Sequence, residues 1–190
     1  MQMLINKQKI IWLGSKWTPA SKPRRDKSQE GIIDTLKFLK NFIEELKQRY
    51  INDDLNGNQR LAIIDIMKRD IRRAHDIIKR WRGEHYQEIP LGGDRHFEHV
   101  IPLDKLASAY IQGHIDFEFL LNVPTCDLND LSNDALTRKK LHRTNTDWYY
   151  FFRRYLHAEI ENIQTPSGEK INLMDWTIED HFRLYPPIKL

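Results

Sequence analysis

The sequence predicts an α+β protein, mostly helical, in which an N-terminal helical hairpin and C-terminal helices flank a small pair of strands. Three observations lead there. Apolar residues recur at helical spacing from about residue 31 to 50 and again from 61 to 81. Near residue 83 glycines and prolines begin to interrupt short β-compatible runs. From about residue 130 the helical spacing returns.

Residues 1–30 form the first segment. Its apolar patch "IIWL" is far shorter than a signal-peptide core or a spanning helix, so an intracellular chain with no membrane partner is expected. The stretch "SKWTPASKPRRDKSQ" has almost nothing to bury and reads as a mobile basic arm. A single cysteine, Cys126, rules out an internal disulfide and a four-cysteine zinc knot.

Residues 31–83 are the hairpin. Ile32, Ile33, Leu36, Leu39, Phe42, Ile43, Leu46 and Tyr50 mark one apolar stripe, and Leu61, Ile64, Met67, Ile71, Ala74, Ile78 and Trp81 mark the other. The connection "NDDLNGNQRLAI" has Asn52, Asp54, Asn56 and Gly57 at calcium-loop positions. Its twelfth residue is Ile63, where a bidentate glutamate is required, so an Asn-Gly turn is expected instead.

Residues 84–164 are the third segment. "RGEHYQEIPLGGDRHFEHVIPL" should hold turns and strands, residues 104–121 carry mixed apolar positions, and "DLSNDALTRKKLHRTNTDWYYFFRRYLHAEIENI" is a helical stretch capped by Asp130 or Ser132. Residues 165–190 follow with a "TPSG" turn and a short closing helix in "NLMDWTIEDHFRLY", stopped by Pro186 and Pro187.

The chemistry-bearing run is "HFEHVIPLDKL" followed by "LLNVPTCDLNDLSND". Phosphodiester hydrolysis needs a general base, a group that holds the base in the right tautomer, and a divalent cation for the developing charge. A strand pair followed by a helix can bring all three to one groove. "EHVIPL", "LLNVPTC" and the Asn/Asp-rich helix start resemble the HNH, or ββα-metal, endonucleases, especially small zinc-less forms among phage homing endonucleases, over residues 93–145. The resemblance implies a ββα-metal catalytic core and a metal-dependent DNA endonuclease, and, because the gap from His99 to Asn122 is longer than the family's usual one, a helical insertion at residues 103–118. In that core Glu98 binds metal, His99 activates water and Asn122 holds the His99 ring. A further ligand comes from the helix start, where Asn129, Asp130, Asn133 and Asp134 compete. Asn129 and Asn133, four apart on one helical face, are favoured. The implied ion is Mg²⁺, or another divalent cation such as Mn²⁺. Adjacent strand residues face opposite ways, so Glu98 and His99 share a site only if the strand ends or twists near Pro102.

The formal charge of +3 is only mildly basic, so a DNA partner must be argued from where the charge sits. Arg95 precedes the predicted site. Arg138, Lys139 and Lys140 end the following helix. Arg69, Arg72, Arg73 and Arg80 lie near one side of the second long helix, and the "SKPRR" arm adds a further basic cluster. Three rival readings stand beside the endonuclease: a DNA-binding module without catalysis, a restriction or toxin nuclease on the same core, and a zinc-stabilised domain using His96, His99 and His114. His96 otherwise reads as a neighbour of the chemistry. Glu84, His85, His142, His157 and His181 read as surface or capping residues.

Overall fold

A computed structural model describes residues 28–90, 94–141 and 147–190. The basic "SKPRR" arm and His142 lie outside the described residues. Helix α1 (Gln29–Asn52) is capped by Ser28, whose side chain accepts from Gly31 N at 3.1 Å, and buries Leu36, Leu39, Ile43 and Leu46. Helix α2 (Gly57–Arg82) packs against it and buries Ile63, Met67, Ile71, Ala74 and Ile78. Asn56 starts α2 with a reciprocal capping box to Gln59. The carboxamide that matched a calcium-loop position therefore serves the helix end. Gly83 ends α2 at φ +68°, a left-handed conformation that favours glycine.

The chain then builds a mixed sheet of four strands: β1 (Tyr86–Glu88), β2 (Arg95–His99), β3 (Thr125–Asn129) and β4 (Ile163–Gln164), in the order β2-β3-β1-β4. Strands β2 and β3 are antiparallel, with Glu98 opposite Cys126 and His99 opposite Thr125. β1 runs parallel to β3, and β4 antiparallel to β1. Between β2 and β3 the chain inserts α3 (Leu103–Ile111) and α4 (Phe117–Leu121), the helical insertion expected at 103–118. Both lean on α2. Helix α5 (Asp130–Arg138) leaves β3 without a loop because Asn129 is both the last strand residue and the N-cap, accepting from Ser132 N at 2.9 Å. That position replaces the expected caps, Asp130 and Ser132.

The long helical stretch expected beyond residue 138 is shorter than its spacing suggests. Lys140 turns the chain at φ +57°, and among the described residues of that stretch α6 (Arg153–His157) is the only helix that follows. The closing helix is α7 (Ile178–Leu184). One buried apolar cluster runs from Leu36 to Ile188 and joins hairpin, sheet and C-terminal helices. Tyr86 lies within it, accepting from Trp176 Nε1 at 3.1 Å and lying 3.1 Å from His181 Nδ1. His181, expected at the surface, is buried, and its Nε2 donates to Asn122 O at 2.9 Å. No described helix is long and apolar enough to cross a membrane.

Candidate nucleic-acid interface

Helix α2 turns Arg69, Arg72, Arg73 and Asp76 outward from the face that buries Met67, Ile71 and Ala74. Steps of three, one and three residues keep these four on one stripe. Strand β2 adds Arg95, His96 and Phe97, and the seven residues line a groove of ≈ 530 Å³. Alternation puts Arg95 and His96 on opposite strand faces, so the groove must wrap the strand's outer edge. β2 is terminal in the sheet, which leaves that edge open among the described strands. Arg72 Nη2 donates to Phe97 O at 3.3 Å and ties helix to strand.

Four guanidiniums face one carboxylate here, and Asp76 is already paired with Arg80 at 2.9 Å. Arg69 comes no nearer than 3.9 Å to Asp70, whose buried carboxyl is pushed up by desolvation. The guanidiniums of Arg73 and Arg95 make no hydrogen bond or ion pair to another described residue. Planar, permanently charged donors arranged this way fit phosphate oxygens, which bind without sequence information.

The predicted catalytic pair divides between two environments. His99 faces α2, where its ring centroid lies 5.0 Å from that of His75 and 5.1 Å from that of Phe97. It is 3 % exposed, its Nε2 has no hydrogen-bond partner, and burial followed by the charge of His75, Arg72 and Arg154 holds its pKa well below the usual histidine value. Glu98, on the other face, accepts from Arg154 Nη2 at 2.5 Å. The same Nη2 donates to His99 O at 2.6 Å, so one buried guanidinium clamps both residues. Asn122 does not orient His99 in this arrangement. Its Nδ2 donates to Glu118 O (2.7 Å) and Ile188 O (3.1 Å), while its Oδ1 accepts from Ile188 N at 2.7 Å. It straps the C-terminal tail to the end of α4.

The expected ligands do not fit a divalent cation as placed. A dication on Glu98 would meet the Arg154 guanidinium at ion-pair distance, an unfavourable like-charge contact in a half-buried site. The Asn129 oxygen is spent on the α5 cap, and Asn129 N donates to Glu88 Oε2 at 3.0 Å. Asn133 is half-buried one turn further along. Among the described residues no group of three or more His, Cys, Asp or Glu side chains is placed to hold a metal ion. This includes the zinc set of His96, His99 and His114.

Of the predicted DNA contacts, Arg72, Arg73 and Arg95 meet in the groove, whereas Arg138, Lys139 and Lys140 lie exposed at the end of α5 and do not line it. Lys139 Nζ is taken by Glu159 (2.7 Å) and His157 O (3.0 Å). Four further residues give the region its shape. Arg154 clamps β2, and Glu88 accepts from Asn129 N and from Ser132 Oγ (2.6 Å), holding the start of α5. Asp127 receives Lys79 at 2.5 Å, and Asp130 pairs with His96. Spacing along the chain carries a signal for Arg69 but none for Arg154, which is 56 residues from Glu98. No protein-family model, curated protein or solved structure matches the chain at a significant level.

Proposed function

We propose that the chain is a DNA endonuclease of the ββα kind whose substrate backbone lies in the arginine groove. The observation that carries this reading is the groove itself: Arg69, Arg72, Arg73 and Arg95 converge on the open edge of a strand that forms an antiparallel pair with β3 and leads, through it, into α5. Strand, strand and helix come in the order that the resemblance implies. Four clustered guanidiniums favour a polyanion, and base-independent phosphate contacts are how such enzymes grip duplex.

A second reading has its own support. Burial of His99 and the pairing of Glu98 with Arg154 favour a DNA-binding module without catalysis. A supercoiled-plasmid assay with Mg²⁺, with Mn²⁺ and with chelator separates the two. The endonuclease reading predicts nicked or linear product, and the divalent-ion requirement implied by the resemblance is read from the chelator lane. Duplex binding with no cleavage under any of these conditions selects the binding module. Unaltered cleavage by His99→Ala would remove His99 from the chemistry while leaving the endonuclease reading intact.

A further inference from the structure

Resting on the endonuclease reading, we infer that His96, held by Asp130 at the lip of the arginine groove, is the general base that activates the attacking water. His96 lies on β2 and Asp130 in the first turn of α5, and the imidazole Nε2 contacts Asp130 Oδ1 directly. Both side chains are open to solvent, 42 % and 51 % exposed, whereas His99 is 3 % exposed. A base has to reach a water that is itself in contact with substrate, and of these two histidines only His96 lines the groove. The carboxylate has a defined task. By accepting Nε2–H it fixes the tautomer in which Nδ1 carries the free lone pair, and it stabilises the imidazolium that forms.

The step balances without a further reactant. A water oxygen bonds to phosphorus as its proton passes to His96 Nδ1. The bond from phosphorus to the ester oxygen breaks with its electron pair, and the departing alkoxide takes a proton from solvent water. His96 then returns its proton to solvent. Negative charge gathering on the non-bridging oxygens is met by the positive charge of Arg69, Arg72, Arg73 and Arg95, which line the same groove.

The test uses the full chain carrying His96→Ala, His96→Gln or Asp130→Asn. Binding of a fluorescein-labelled duplex and cleavage of supercoiled plasmid are measured on the same preparations. Expected are duplex binding within about two-fold of wild type and a cleavage rate for His96→Ala lower by about 100-fold or more. Added imidazole should restore part of that rate, a rescue that a structural role for His96 does not produce. Asp130→Asn should fall by about ten-fold or more, since the amide no longer favours the same tautomer. Cleavage by His96→Ala at the wild-type rate overturns the role of His96 alone. So does a loss in both His96 variants that merely tracks weakened duplex binding. A wild-type chain that binds duplex and cuts nothing overturns the endonuclease reading and this inference together.

Discussion

Mild acid should destabilise this protein, because three core histidines are held neutral by burial. His75 donates Nε2–H to Leu120 O at 2.8 Å and leaves Nδ1 buried without a partner. His181 is fully used as a neutral ring between Tyr86 and Asn122 O. Burial lowers each from 6.5 to about 4, the backbone hydrogen bond opposing only part of the shift. A base whose folded pKa lies below its unfolded one contributes full stability above the unfolded value. It loses that stability as pH falls through the interval between the two.

At about pH 5 each ring costs on the order of 2 kcal/mol relative to pH 7.5, hence about 4 kcal/mol for the pair. His99 adds to this in the same direction. Asp70 and Glu84, whose carboxyls burial pushes up, oppose it in part. Against a total of about 5–15 kcal/mol this is a large fraction, and it should lower the urea midpoint by roughly 2 M. Urea titrations followed by circular dichroism at the two pH values measure it. His75→Gln, which keeps a donor near Leu120 O, should lose close to half of the acid sensitivity of the pair. Equal midpoints at pH 7.5 and pH 5, or a His75→Gln variant as acid-sensitive as wild type, would refute the assignment.

Other substitutions separate structural from functional roles. Arg154→Met strands Glu98 in a half-buried site and should cost about 3–5 kcal/mol in a urea titration, with Arg154→Met/Glu98→Gln recovering much of it. If the single variant is as stable as wild type, Arg154 is not the clamp on β2. Asn122→Ala removes the three hydrogen bonds to Glu118 and Ile188. It should cost about 1–3 kcal/mol and open the last residues to carboxypeptidase, and an unchanged digestion rate would count against the strap. Lys139→Ala, outside the groove, should leave duplex affinity within about two-fold, which an anisotropy titration checks.

The helical hairpin was legible because it is local: the 3.6-residue period and the Asn-Gly turn between its two helices lie within the segment they define. The insertion at 103–118 followed from the resemblance, against which the gap from His99 to Asn122 is long. What sequence spacing did not carry was the sheet and the clamp. β1 and β3 pair in parallel across about forty residues, and Arg154 reaches back from α6 to β2, contacts that no short-range periodicity encodes. The two ends of "RHFEH" show the same limit. Period-two alternation already places His96 with Glu98 and His99 with Phe97, yet only the packing of α2 against β2 makes one face buried and leaves His96 open. The basic stripe was visible at Arg69, Arg72 and Arg73. Its meeting with Arg95 is a tertiary event.

The salt dependence of duplex binding addresses the arginine groove most directly. Affinity for a labelled duplex should fall linearly on a log–log plot with salt. Arg72→Ala/Arg73→Ala/Arg95→Ala should flatten that slope by about 0.9 for each phosphate no longer neutralised, roughly 2–3 in all. A triple variant with the wild-type slope and affinity would contradict the placement of the nucleic-acid backbone in this groove.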